Sequence, residues 1–295
     1  MKNLLKKIGI GIAILGGILI LAVAGMYLNS ARKLNQTYSF ASEALVIPTD
    51  DQSLADGKQW VQALCTHCHG ADLAGIAMIN DPAIGHVDSA NLTAGNGGIA
   101  STYTDEDWIR ALRHGIGKDG KPLLVMPSSA FWHFSEDDLG EIIAYIKTIP
   151  PVDHQTTVQL SPLGTIVLPN DPTVLQVNLI DHNTRPQQPI IGVTTGYGQY
   201  LVNVSGCRDC HGMDLSGKPS QNNRPAMPNL TPGGELQAWS VDDFIRTIRT
   251  GVTPSGHALN PDEMPWQGYG LYSDDELTAI FLYLQSLPAL TFNNK

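Results

Sequence analysis

The hydrophobic pattern changes character three times along the chain. Residues Ile8–Ser30 form an uncharged, almost wholly apolar run. Its core, Ile8–Leu28, is 21 residues long; at ~1.5 Å rise per residue a helix of that length crosses a ~30 Å hydrocarbon layer. Beyond it the apolar positions fall into helical spacing. Leu139, Ile142, Ile143 and Ile146 follow Ser135 and stop at Pro150 and Pro151; Leu277, Ile280, Phe281 and Leu284 follow Ser273 and stop at Pro288. Four pairs have the form of a capping box that opens a helix: Thr104/Asp107, Ser135/Asp138, Ser240/Asp243 and Ser273/Glu276. Two further helices are predicted over 53–66 and 195–206. Each half therefore has at least three helices around long Gly/Pro loops, and neither half shows a strand pattern. Residues 151–191 are different again: "TTVQLSPLGTIVLPN" partly alternates, which predicts an extended linker with a strand where it packs on a domain.

The two halves are copies of one another. "NLTAGNGG" at 91 answers "NLTPGGEL" at 229, and "YTDEDWIRALRHGIGKDGKPL" at 103 answers "WSVDDFIRTIRTGVTPSGHAL" at 239. "MPSSAFWHFSEDDLGEIIAYIKTIP" at 126 answers "MPWQGYGLYSDDELTAIFLYLQSLP" at 264. Asn91, Met126, Ser135 and Pro150 all sit 138 residues before their counterparts. One fold is thus repeated, and the chain divides into 1–33, 34–150, 151–191 and 192–295.

Charge is unevenly distributed. Residues 1–33 hold Lys2, Lys6, Lys7, Arg32 and Lys33 and no acid; the chain's net charge is −10, so the remainder carries −15. That excludes nucleic acid as a partner and fits either a protein partner with a basic docking surface or mere solubility. Three lysines before the apolar run predict a cytoplasmic amino terminus, with everything after Arg32 outside. Ala22-Val23-Ala24 offers the alternative of a cleaved signal peptide, but the apolar run continues through Met26, Tyr27 and Leu28.

The candidate chemistry lies in "LCTHCHGADLAG" (64–75) and "GCRDCHGMDLSG" (206–217), which contain all four cysteines. Disulfides would leave the following histidines unexplained. A zinc ribbon would bring both pairs to one metal, and a thioredoxin-like site needs a βαβ setting. Cys-x-x-Cys-His is the attachment pattern of c-type haem: thiols one helical turn apart reach two vinyl groups on one porphyrin edge, and the adjacent histidine lies under the ring. Two copies predict two covalently bound haem c groups, on Cys65, Cys68 and His69 and on Cys207, Cys210 and His211. Only Met126 and Met264, among seven methionines, share a repeat position, and methionine is the usual sixth ligand in cytochromes c. Met78, Met213 and Met227 are expected to fill gaps in a core. His67 is expected to be exposed, and His114 and His257 to lie in surface loops. Arg113 and Arg249 align, and are read either as haem-propionate contacts or as solvated helix ends. Asn91 and Asn229 are expected to fold their loops rather than to accept glycans.

Each half, over 53–150 and 195–290, resembles a class I cytochrome c domain. The likeness rests on "CTHCH" and "CRDCH", on the two Met-Pro sites and on the terminal helices with "AYIKTIP" and "LYLQSLP". The resemblance implies a mainly α fold of two tandem cytochrome c domains behind an N-terminal transmembrane helix. It also implies that Gly57 packs on Tyr145 and Gly198 on Tyr283. The function it implies is electron transfer between respiratory or dehydrogenase partners on the outer face of a bacterial cytoplasmic membrane, without catalysis by this chain. The "NLT…RHG…MP" loops are similar to those of cytochrome subunits of membrane-bound dehydrogenases, which commonly have three haem domains against two here. A fixed subunit of a dehydrogenase or oxidase complex and a dihaem peroxidase-like enzyme are the alternatives.

Overall fold

A computed structural model describes residues 2–40, 45–187, 189–220 and 226–291; residues 292–295, assigned above to the second domain, lie outside the described part. In chain order the helices are α1 (Lys2–Asn35), α2 (Asp51–Leu64), α3 (Thr66–His69), α4 (Asp105–His114), α5 (Ser128–Phe131), α6 (Glu136–Ile146), α7 (Pro162–Val167), α8 (Thr195–Val204), α9 (Cys207–His211), α10 (Val241–Thr250), α11 (Trp266–Tyr269) and α12 (Asp274–Ser286). Among the described residues α1 is the one helix long and apolar enough to cross a membrane. Its apolar side chains are nearly all exposed, as a lipid-facing helix requires.

The first helix of each domain crosses the last. A Cβ added to Gly57 would lie 2.1 Å from the Glu141 carbonyl oxygen and 3.1 Å from Tyr145 Cβ; one added to Gly198 would lie 1.9 Å from Ala279 O and 2.9 Å from Tyr283 Cβ. Only glycine lets these backbones approach so closely. The Gly–Tyr packing implied by the family resemblance is present in both halves.

The capping pairs do more than start helices. Thr104, Ser240 and Ser273 form complete capping boxes. Ser135 caps α6 through its hydroxyl, but its own N–H donates to the Tyr200 hydroxyl of the second domain at 3.2 Å. Tyr200 in turn donates to Asp138. The counterpart is Gln59 of the first domain, whose Nε2 donates to Glu276 of α12 at 2.9 Å. Gln59 and Tyr200 hold the same place on α2 and α8, two residues after the crossing glycines, and Asp138 and Glu276 are repeat partners. Aromatic rings continue the exchange: Trp60 meets Phe134 edge-on at 5.3 Å and Tyr272 at 5.8 Å, and Phe134 and Tyr272 are repeat partners too. The domains thus face each other as the two halves of an isologous interface do, and one apolar core runs through both.

Two expectations are corrected. The first domain does contain strands: β1 (Ala77–Asp81) and β2 (Gly85–Asp88) form a hairpin, and β3 (Val158–Leu160) from the linker pairs with β2. The hairpin strands are only five and four residues long and mostly half-buried, with Val87 alone fully buried, so no buried alternation marks them. The linker packs on the first domain and supplies a strand there, as its pattern predicts. It adds β3, sets α7 against α1 and presents Val174 O to the Val125 N–H at 2.8 Å. Met213 is 77% exposed rather than a core filler. It sits beside Leu215, whose left-handed backbone (φ 62°) turns that side chain inward instead.

The α2–α6 contact also carries a pH dependence. Burial, aided by Asp138, Asp56, Asp137 and Asp50, pushes Glu141 from 4.5 up to about 7. The folded domain therefore holds this proton more tightly than the unfolded chain, so its stability falls as pH rises through that window. Glu141→Gln is expected to flatten that fall, read as a smaller change in denaturation midpoint between about pH 5 and pH 8. An unchanged slope would show that another group is responsible.

Candidate functional site

Each cysteine pair follows a first helix directly. In the first domain the Cys68 and His69 N–H groups both point to Cys65 O, at 3.2 and 2.8 Å, so one turn of helix sets the thiols and the histidine. The next residues form a tight loop with the same backbone in both halves. Gly70, Leu73 and Gly75 have φ of 83°, 57° and 90°; Gly212, Leu215 and Gly217 have 87°, 62° and 88°. A leucine in the left-handed region costs about 1–2 kcal/mol, here offset by burial of both leucine side chains. The loop returns the Gly75 N–H to His69 O at 2.8 Å and the Gly217 N–H to His211 O at 2.9 Å. The repeated "G-x-D-L-x-G" was the visible signal for this turn, and its role as a clamp on the histidine was not read from it.

The histidine rings are held from behind. His69 Nδ1 bonds Ala90 O at 2.8 Å, and His211 Nδ1 bonds Pro228 O at 2.8 Å. Those carbonyls immediately precede Asn91 and Asn229. Asn91 is fully buried and donates to Val152 O at 2.8 Å and His154 O at 3.1 Å; Asn229 donates to Leu290 O at 2.7 Å. Their side-chain oxygens accept from Thr93 and Thr231 N–H. The asparagines are therefore loop-folding residues, as expected. Nδ1 carries the proton in this arrangement, so Nε2 is left with its lone pair as a metal ligand. Burial lowers both histidines from their usual value and keeps them neutral.

A cleft of about 700 Å³ opens beside His69 and Cys68 and is also lined by Met126. An apolar pocket bounded by Cys65, Leu92, Trp108, Leu112 and Phe131 adjoins it, with His69 and Met126 again on its wall. Met126 is set by the Ser128 N–H, which donates to Met126 O at 2.8 Å; Trp266 N–H does the same for Met264 O at 2.7 Å. In the first domain the linker adds a second hold, through Val125, which has φ 66°.

These residues fit haem c. None of the four cysteines is in a disulfide. Burial pushes the Cys65 and Cys207 thiols up to about 12, which disfavours a thiolate metal ligand. No cluster of three or more His, Cys, Asp and Glu able to hold a metal ion occurs among the described residues, which disposes of the zinc ribbon. The buried Trp108 indole N–H, on the pocket wall, has no acceptor in the protein, as suits a group bearing carboxylates.

Other sequence candidates fall elsewhere. His67 and His257 are exposed. His114 is not: it is 1% exposed, bonds His182 Nδ1 at 2.9 Å, and stacks with Phe40 at a ring separation of 5.2 Å. The linker folds over it, which no local pattern could show. Arg113 is not a solvated helix end, whereas Arg249 is exposed in the last turn of α10. Arg113 is fully buried and donates to Trp132 O at 3.0 Å and Phe134 O at 2.9 Å. Arg249 donates to Gly270 O and pairs with Asp274 at 2.8 Å. Each fastens the middle helix to the loop that follows the methionine.

The fold and the two sites define a chain with two cytochrome c-type domains, a class that implies covalently bound haem c. Residues 54–150 match the family model for cytochrome c, and residues 195–284 match that for cytochrome c oxidase, cbb3-type, subunit III. The chain is similar to the fructose dehydrogenase cytochrome subunit of Gluconobacter japonicus, at 28% identity over 78% of this chain and 51% of that one. It is similar to the cytochrome c subunits of alcohol dehydrogenase (quinone) from Gluconobacter oxydans (strain 621H), at 28% over 81% and 56%, and from Komagataeibacter europaeus, at 28% over 87% and 62%. The chain thus spans between 51% and 62% of the length of these relatives.

Proposed function

We propose that this chain is the dihaem cytochrome subunit of a membrane-bound bacterial dehydrogenase and relays electrons from the substrate-oxidising subunit to an acceptor at the membrane. Cys65, Cys68, His69 and Met126 would hold one haem c, and Cys207, Cys210, His211 and Met264 the other. When bound, each iron supplies one-electron ferrous–ferric chemistry. The protein holds each histidine by its Nδ1–H, places a methionine in the loop before the last helix, and keeps water out with the apolar pocket. His69 and Met126 on one cavity wall, with His211 and Met264 at the equivalent repeat positions, carry the reading: methionine beside each iron would leave no open face for substrate, which disfavours a peroxidase. Lys2, Lys6 and Lys7 put the amino terminus in the cytoplasm and both domains on the outer face. The −15 charge of residues 34–295 suits partners with basic docking surfaces.

The first cleft also favours a lipid-soluble acceptor, since Tyr27 and Ala31 of α1 line it together with His69 and Met126; two of the relatives carry "quinone" in their names. Affinity purification from native membranes in mild detergent should bring down a dehydrogenase subunit whose substrate reduces both haems. Recovery of the chain alone, or with an oxidase core that its haems reduce, would overturn the subunit reading.

A further inference from the structure

Charged residues make up 16% of the chain, yet none occurs in Gln155–Asn170. This stretch is on the surface. Pro162, Leu163 and Val167 are exposed, Leu163 at 49% and Val167 at 45%, and they share one side of α7. An uncharged apolar face is unusual on an acidic water-soluble domain.

Its position accounts for it. α7 packs against the carboxyl-terminal part of α1, where Ser30 is only 1% exposed beneath it. Ser30 Oγ donates to Ile166 O at 3.3 Å, Asn170 Nδ2 donates to Ser30 Oγ at 2.8 Å, and Lys33 Nζ donates to Asn170 Oδ1 at 2.6 Å. Ser30 lies two residues beyond Leu28, the end of the apolar run, or about 3 Å along the helix axis. α7 is thus joined to α1 at the level where the helix leaves the hydrocarbon. The turn of the β1–β2 hairpin lies beside it: Ser161 N–H donates to Ile84 O at 3.0 Å, and Gly164 is pressed on the same carbonyl, where a Cβ would come within 1.9 Å. That turn presents Pro82 and Ala83, both exposed and uncharged. Arg32 and Lys33 sit at the same level and suit lipid phosphates.

From this placement we infer that α7 and the β1–β2 turn form an interfacial foot, with Leu163 and Val167 inserted among the headgroups and upper acyl chains of the bilayer that α1 crosses. The inference rests on the membrane-anchor reading of α1. A foot joined to α1 through Ile166 and the following Asn170 does more than tether. It sets the tilt of the first domain, and it turns the cleft lined by Tyr27, His69 and Met126 toward the membrane surface. α1 alone would leave the domains free to swing about the helix end.

The test uses the full-length haem-loaded chain in nanodiscs of phosphatidylcholine with phosphatidylglycerol, spin-labelled one site at a time. Leu163→Cys and Val167→Cys report the foot, Leu19→Cys reports the anchor, and Met213→Cys, on the exposed turn of the second domain, reports water. Labels at 163 and 167 are expected to resemble 19 rather than 213: collision with dissolved oxygen rises, and collision with a water-soluble nickel chelate falls severalfold. If 19 is in lipid while 163 and 167 match 213, the foot is wrong and the anchor stands. If 19 itself reads as water, the anchor fails and the foot fails with it. If 163 and 167 read as water in nanodiscs but are shielded from both reagents in native membranes, a protein subunit covers this face, and the lipid assignment is overturned.

Discussion

Met126→Ala is expected to open the first iron to carbon monoxide while the second stays closed. Met126 stands on the wall of the cavity that His69 also lines, and its backbone is held on both sides, by Ser128 at 2.8 Å from Met126 O and by Val174 through Val125. Alanine keeps that backbone but ends at Cβ, so nothing replaces the thioether and the sixth position is left to water or an added ligand. The ferric protein should lose the weak sulfur-to-iron band for that haem and gain high-spin character. The side chain is half-buried, so the stability cost should be near the lower end for core truncations, about 2 kcal/mol. Met126→His should stay low-spin, because imidazole also ligates, and should lower that potential by on the order of 0.1 V, within the ~0.8 V range that axial ligation spans. Met264→Ala should reproduce the alanine result in the second domain alone. Carbon monoxide binding at both haems of the unaltered protein would show that neither methionine ligates, and would bring the peroxidase reading forward.

Replacing Cys65 and Cys68 together with alanine is expected to halve the covalent haem, from two per chain to one, measured on denatured protein after extraction with acidified organic solvent. The effect on the first domain should be larger than a count implies. The apolar pocket beside its cleft, walled by Leu92, Trp108, Leu112 and Phe131, would close around the porphyrin, and without it those walls lose their packing partner. The loop from Gly70 to Gly75 holds a left-handed leucine that persists only while its surroundings enforce it. The first domain should therefore become protease-sensitive while the second keeps its haem. Because Gln59 and Tyr200 link the domains, a smaller loss of stability should reach the second. If both haems extract from the unaltered protein, attachment through the cysteines is wrong.

Much of this could be read along the chain because it is local or repeated. A capping box needs only residues three apart, and all four serine or threonine caps are in place. The cysteine–histidine motif needs one helical turn. The crossing glycines of the family pattern stand against Tyr145 and Tyr283. What was misread depends on chain that arrives from far away. His114 has the look of a loop residue until His182 and Phe40 cover it. Arg113 has the look of a solvated helix end until Trp132 O and Phe134 O are brought to it. The hairpin is too short to announce itself, and its third strand lies some 70 residues further on.

The sequence by itself therefore determined the repeat, the caps, the attachment motifs, the paired methionines and the apolar run, since each is a matter of residue type at short or constant spacing. Only the tertiary structure decided how these parts meet. It placed Ala90 O and Pro228 O behind the histidines and wrapped the linker over the first domain. It also joined α7 to α1 and set the two domains face to face, with Gln59 on Glu276 and Tyr200 on Asp138. The physical reason is that a hydrogen bond or an apolar contact acts over a few ångströms in space whatever the distance along the chain, so partners such as Ser30 and Ile166, 136 residues apart, leave no periodicity to read.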